Sequence, residues 1–359
     1  MNIFIVIMLI FALIGFIDKT FHLRWGLELT FDRGLSTMGS LAVSVIGIYC
    51  VGMTFVQRNI DVLTKLNHYL FFDSSILVGS LLAPDMGGYP IVSQMTTDQG
   101  LIVFSGILLS ATLGQTICFQ LPVFLAFLEE KEINDLMRGF IIGIVTIPIG
   151  LLISYFFIDI SLKTLFINLL PILIICLFIA FSIIKIPRLT IKIFSIFANF
   201  IKAISYIFFF IVILGLYIPE LSYVDLSMVE ESVVMVMKMV IIVSGSMVLS
   251  EVIFKFGAKY IDLISEKLNV NKESVIGFVL NCASSLAMLP LYSKMNKKGK
   301  LINAAFSVSG AYVFGGQLGF ISTVANENVT VYVLVKLICG LLSVLCISIM
   351  YRKVGEESD

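Results

Sequence analysis

FFDSSILVGSLLAPDMGGYPIVSQMTTD, residues Phe71 to Asp98, decides how this chain is read. Two short apolar arms meet at a polar, glycine-rich tip, Pro84-Asp85-Met86-Gly87-Gly88-Tyr89-Pro90. The arms have about 13 and about 8 residues, whereas a helix needs roughly 20 to cross a bilayer. Two prolines, two glycines and a carboxylate at the tip break any continuous helix. The stretch therefore predicts a re-entrant helical hairpin that dips into a membrane and returns to the same side. Irregular backbone at that depth is tolerated only where protein or a wet cavity surrounds it. The tip is accordingly expected to form part of a solute-binding site in a transporter.

The rest of the composition fits that setting. Of 359 residues, 59% are hydrophobic and 13% charged, and mean hydropathy is +1.05. Such a chain is a multispan membrane protein, with the lipid bilayer as its surroundings. A formal net charge of zero gives no case for a nucleic-acid partner. The cysteines, Cys50, Cys118, Cys176, Cys282, Cys339 and Cys346, lie in apolar stretches without paired metal-ligand spacing, so they read as small buried hydrophobes and no metal is expected. The N-terminal run MNIFIVIMLIFALIGFIDKT has no basic residue before its apolar core and reads as a retained first span. No HExxH, no nucleophile beside a base and no phosphate loop occurs, so neither an enzyme nor a cofactor is expected.

Segments long enough to cross occur at about 1–17, 35–57, 100–128, 139–160, 163–184, 190–218, 231–254, 301–325 and 329–351. Two further segments, 71–97 and 274–295, are interrupted at their middles. The stretches 58–70 and 255–270 carry helical periodicity among polar residues and read as amphipathic helices at an interface.

The halves resemble each other. Ile60-Asp61-Val62-Leu63 aligns with Ile261-Asp262-Leu263-Ile264. Pro90, Ser93, Met95, Leu101, Ile102 and Ala111 meet Pro290, Ser293, Met295, Leu301, Ile302 and Ala311. Gly114-Gln115 meets Gly316-Gln317, and Gly150-Leu151-Leu152 meets Gly340-Leu341-Leu342. An internal duplication follows. A first repeat, 1–160 with hairpin 71–97, and a second, 190–352 with hairpin 274–295, are joined by the span 163–184. If both interrupted segments are hairpins, 18 of the 24 basic residues fall on one side, and only Arg58, Lys65 and Lys163 on the other. The positive-inside rule then puts the N-terminus outside and the C-terminus in the cytoplasm. Five crossings separate the starts of the two repeats, which makes them inverted. An all-α polytopic protein with inverted repeats, hairpins and broken spans is the plan of many secondary transporters, with a site where the repeats meet. It resembles the elevator-type carriers, which move solute by alternating access. These are often dimers or trimers, and a homo-oligomer is compatible with the plan.

The residues at the two tips and the two breaks are the candidates for binding. Asp85 would serve as counter-ion for a cationic substrate or for a coupling cation, sodium or proton. It would also cap the second arm, and the two roles are compatible. Tyr89 offers a cation–π face and a hydroxyl. Gly87 and Gly88 permit a sharp turn and would let a solute approach the main chain. Ser284 and Ser285, in the second tip Asn281-Cys282-Ala283-Ser284-Ser285, bind solute or bond back to helix carbonyls. Gln115 and Thr116 at the first break, and Gly316 and Gln317 at the second, coordinate an ion or hydroxyl, or else tie helices together. Lys202, Lys238 and Lys336 lie inside spans and are expected to snorkel or pair. Asp225 to Glu231 reads as a solvated acidic loop outside.

Several of these motifs together resemble the ethanolamine permease (EutH) family. LLAPDMGGY at 81–89 is similar to the family's Leu-Leu-Ala-x-Asp-Met-Gly-Gly. GIVTIPIG at 143–150, GKLINAAFSVS at 299–309 and LGF at 318–320 are also similar, and the likeness runs over nearly the whole chain. The resemblance implies a multispan carrier, not an enzyme, that imports ethanolamine across the bacterial plasma membrane. The chain departs from the family at the second tip, where Ser284, Ser285 and Ala287 stand in place of two asparagines and a proline. It departs again at Gly316-Gln317, where the family commonly has Asp-His. A protonated amine would thus meet one carboxylate, Asp85, instead of two. The same architecture would also serve a cation-coupled carrier of a different, neutral or carboxylated solute.

Overall fold

Helices account for every regular element, and no strand occurs among the described residues. The structure is a computed structural model and describes residues 2–59, 69–81, 88–121, 124–125 and 128–356. The chain begins with α1 (Ile3–Phe21), α2 (Glu28–Leu35) and α3 (Met38–Gly47). A π-helical turn, Ile48–Gly52, joins α3 to α4 (Met53–Arg58). Two short helices follow, α5 (Ser75–Leu81) and α6 (Gly88–Met95), and then α7 (Gln99–Gln120), much of it π-helical. Next come α8 (Glu130–Ile153), α9 (Leu162–Lys185), α10 (Pro187–Tyr217) and α11 (Leu226–Phe256). The remainder is α12 (Ala258–Leu268), α13 (Lys272–Ala283), α14 (Ser285–Tyr292), α15 (Lys297–Ser309), α16 (Gly316–Val324) and α17 (Val329–Glu356).

Eight helices among the described residues are long and apolar enough to cross a membrane. The ninth expected crossing, 301–325, is divided into α15 and α16 by the connection 310–315, which is where the sequence predicts a break. The break expected at Gly114-Gln115-Thr116 is not a gap. The helix runs on through it, and the Gln115 N–H bonds back to the Ser110 and Thr112 carbonyls. A change of helical pitch replaces the interruption there. The first tip, 82–87, and most of the amphipathic stretch 58–70 lie outside the described residues, as does Pro122. The second amphipathic stretch forms α12, with Ile261 buried and Tyr260 and Leu263 exposed.

Side-chain caps fix several helix starts. Ser161 accepts from the Thr164 N–H, Asn296 from Gly299 and Asp98 from Leu101, which satisfies amides that would otherwise be orphaned. Helices in lipid gain little from excluding water, so close contact and hydrogen bonds hold them together. The α8–α15 pair is the clearest case. A Cβ on Gly139 would lie 2.5 Å from Ala304 Cβ, and one on Gly143 would lie 2.6 Å from the Ala305 carbonyl. Small residues four apart on one helix against alanines on the other let the backbones touch. α7 is the innermost helix, with residues 102–114 all buried. Around it pack α5, α6, α8, α15 and α17. α9 and α10 present Phe178, Phe181, Phe200 and Phe210 outward, as lipid-facing helices do.

Candidate functional site

α13 and α14 form a packed pair separated only by Ser284, whose backbone is extended. Neither is long enough to cross alone. The connection 310–315 docks on the end of this pair. The Tyr312 N–H bonds the Asn281 carbonyl at 3.1 Å, and the Phe314 N–H bonds the Cys282 carbonyl at 2.9 Å. These are carbonyls that a helix end leaves without intrahelical partners. Tyr312 adopts φ +60°, a left-handed conformation that costs a bulky residue free energy. Gly315 is required by space, because a Cβ there would lie 2.0 Å from the Ala283 carbonyl.

Side chains from four elements meet at this junction. Ser285 Oγ lies 2.7 Å from the Tyr312 hydroxyl and 3.3 Å from Gln120 Oε1. The Tyr332 hydroxyl donates to the Tyr312 carbonyl at 3.0 Å and approaches Gln317 Oε1 at 3.2 Å. Lys336 Nζ donates to Gln317 Oε1 and, at 2.9 Å, to the Ala111 carbonyl of α7. Gln317 is thereby oriented: its oxygen is taken, and its buried NH2 group has no partner among the described residues. Gln120 Nε2 donates to the Ser307 carbonyl at 2.8 Å. Thr116 Oγ1 lies 2.8 Å from both the Thr112 carbonyl of its own helix and the Val308 carbonyl of α15, so its hydroxyl is shared between helix carbonyls.

A cavity of about 700 Å³ opens beside α6. Its walls come from the π-helical turn after α3 and the start of α4, from α6, from the N-terminal half of α11 and from the C-terminal end of α16. Glu230, Glu231 and Lys238 of α11 line it, together with Tyr49 and Tyr89. The Tyr49 hydroxyl donates to Glu231 Oε2 at 3.2 Å. The Tyr89 hydroxyl reaches the Val324 carbonyl at 3.4 Å, and its ring stands edge-on to Phe320 at 6.5 Å. Two carboxylates against one ammonium, with two aromatic faces, suit a small cation.

The expected site residues are thus dispersed. Tyr89 lines the cavity, and Gly88 is buried just before it at the start of α6. Ser285 and Gln317 belong to the buried junction, with half-buried Ser284 and buried Gly316 adjoining it in sequence. Gln115 is buried in α7 and Thr116 is spent on helix packing. Asp85 and Gly87 lie outside the described residues. Cavity and junction are joined by α16, whose Gln317 and Val324 are about 10 Å apart along the axis at 1.5 Å per residue.

Two readings of the sequence are corrected here. Glu230 and Glu231 are exposed, as expected, but they are helical and line the cavity instead of lying in a loop, because α11 starts at Leu226. Lys336 neither snorkels nor meets a carboxylate among the described residues; it is fully buried. Gln120, Tyr312 and Tyr332 drew no notice in the sequence, and nothing local marks them. None of the six cysteines forms a disulfide, and Cys50, Cys118, Cys176 and Cys339 are buried. No group of three His, Cys, Asp or Glu that could hold a metal occurs among the described residues.

Residues 1–350 match the family described as "Ethanolamine utilisation protein, EutH". The chain is 30% identical over 352 residues to a "Probable ethanolamine permease EutH" of Listeria monocytogenes, covering 96% of this chain and 92% of the relative. Proteins with the same printed name in Salmonella typhimurium and Escherichia coli are 27% and 26% identical. In both cases the match covers 88% of this chain and 83% of the relative. No solved structure matches the chain. A multi-pass helical protein that carries this match along almost its full length belongs to the EutH family of permeases.

Proposed function

We propose that the protein is a permease for ethanolamine or a similar small amino alcohol in its protonated form. The observation that carries this reading is the cavity that sets Glu230 and Glu231 beside Tyr49 and Tyr89. Carboxylates attract and orient the ammonium by charge, and the aromatic faces add cation–π stabilisation of about 0.5–2 kcal/mol. With the N-terminus outside and the C-terminus in the cytoplasm of a bacterial plasma membrane, the cavity runs inward from the outer ends of α11 and α16 to Tyr89 at the start of α6. The cavity then receives solute from outside. Further in, the unpartnered NH2 group of Gln317 is a donor suited to the hydroxyl oxygen of an amino alcohol. The two halves act as inverted repeats, and alternating access moves the solute from the cavity towards the junction, in the manner of an elevator carrier. Asp85 and Gly87 directly precede Gly88 and Tyr89 in the sequence, and Asp85 serves as a second counter-ion for the ammonium. The names of the relatives support ethanolamine as the solute.

Uptake of labelled ethanolamine into proteoliposomes tests the reading, with Glu231→Gln, Tyr49→Phe and Asp85→Asn alongside. Saturable uptake is expected, with KM raised about tenfold in Glu231→Gln, equivalent to about 1.4 kcal/mol. Wild-type uptake absent under every condition sinks the substrate. Uptake unchanged in both carboxylate variants sinks the counter-ion roles.

A further inference from the structure

Lys336 poses a problem that the permease reading leaves open. It is the eighth residue of α17, about 10 Å along the helix from Val329, and its side chain is fully buried. A buried charge without a countercharge costs several kcal/mol, and a well-packed apolar residue of similar volume is as stable or more so. The groups around the ammonium are dipoles. They are the Ala111 carbonyl at 2.9 Å, Gln317 Oε1, and the Tyr332 ring with its centroid at 5.6 Å. The titratable groups facing it are Cys282 on α13 and Cys339 and Tyr332 on α17, with Tyr312 one hydrogen bond further away. No carboxylate and no second ammonium faces it among the described residues.

This donor set has a recognisable chemistry. A main-chain carbonyl and an amide oxygen are neutral oxygen ligands of the kind a monovalent cation takes, carriers supply such carbonyls where helices are irregular, and the aromatic face adds a cation–π contact. The oxygens come from opposite halves of the chain, Ala111 from α7 and Gln317 from the start of α16. A cation held between them ties the halves together at the level of the two irregular segments.

We propose that the Lys336 ammonium is a tethered substitute for a coupling cation, filling a monovalent-cation site between Ala111 and Gln317 so that the protein works without sodium. A tethered ion cannot cross the membrane, so it contributes cohesion without transmitting an ion gradient. The transport consequence rests on the permease reading; the site itself does not. Lys336 acts through Gln317, by fixing which end of the carboxamide faces away, and is a positioning residue.

The test uses the full-length protein, wild type, Lys336→Ala and Lys336→Met. Apparent Tm is measured during a sodium chloride titration, with caesium chloride holding ionic strength constant. Wild type is expected to show no sodium-dependent shift. Lys336→Ala, which vacates the oxygens, is expected to be less stable in caesium and to recover by several degrees in sodium, as a ligand that binds only the folded state requires. In proteoliposomes, wild-type uptake of labelled ethanolamine is expected to be equal in sodium and caesium media. Lys336→Met, which keeps the volume, is expected to remain monodisperse and to lose about tenfold or more in uptake, beyond 1.4 kcal/mol at the barrier. A wild type that needs sodium, a Lys336→Ala without a sodium-dependent shift, or a Lys336→Met with wild-type uptake would each overturn the proposal. Should wild type take up no ethanolamine, the substrate reading falls and the Tm measurements still decide the cation site.

Discussion

Glu132 of α8 and Lys300 of α15 form an ion pair at 3.2 Å, with side chains only 3% and 14% exposed. Tyr292 of α14 lies beneath it, its ring centroid 5.6 Å from Lys300 Nζ. Two charges at that separation attract by about 5 kcal/mol at an effective dielectric of about 20. Desolvation offsets much of that attraction in the intact pair. Removing one partner is a different matter, because the survivor keeps only the weaker attraction of Glu129 or Lys131, and a stranded buried charge costs about 3–5 kcal/mol. Unfolding entropy near 2.1 cal/mol/K per residue over this chain converts that into a fall of about 4–7 °C in apparent Tm. Glu132→Gln and Lys300→Met should each show it in thermal unfolding followed by size-exclusion chromatography. The double variant Glu132→Gln/Lys300→Met should recover at least half, since no charge is then stranded. Single variants within 1 °C of wild type, or a double variant that merely adds the two losses, would refute the reasoning.

Two further outcomes can be checked by the same assay. Gly315→Ala forces a methyl group to within 2.0 Å of the Ala283 carbonyl, whereas Gly316→Ala meets nothing closer than 3.7 Å. The first should lower Tm by about 1–4 °C, from an overpacking cost of about 1–3 kcal/mol, and the second should be close to neutral. Asp18 is buried and accepts from the N–H groups of Trp25, Leu27 and Glu28 at 2.9, 2.7 and 3.2 Å. Asp18→Ala strands these amides and should cost about 1.5–3 kcal/mol, or about 2–4 °C, while Asp18→Asn should lose less.

The transmembrane architecture was legible because hydropathy over a window of about 20 residues is a direct image of bilayer thickness. The same signal marked 274–295 as interrupted, and α13 and α14 meet there on either side of Ser284. It also marked the break before Gln317. It failed at Gly114-Gln115-Thr116, because a glycine and two polar residues are compatible with π-helical continuation when tertiary partners such as Val308 and Ser307 hold the helix. It failed again at Glu230 and Glu231, where charge at the start of a helix looks the same as a polar loop. Lys336 and Gln120 were out of reach for another reason. Their meaning lies in what faces them from elements more than 160 residues away, and no local pattern encodes that.

The docking of 310–315 onto the end of α13 constrains how the molecule can move. If that segment slid away from the helix pair, the Asn281 and Cys282 carbonyls and the Tyr312 and Phe314 amides would all lose partners within the membrane. Each such loss in hydrocarbon costs several kcal/mol. The pair α13–α14 and the start of α16 are therefore expected to stay together in the proposed alternating access, with any sliding surface elsewhere. At the contact of α16 with α11, Gly316 and Gly319 face the side chains of Met239 and Val243, with Gly319 close against the Met239 backbone. These side chains hold their neighbours by dispersion alone, so they can be repacked in steps without stranding a hydrogen bond.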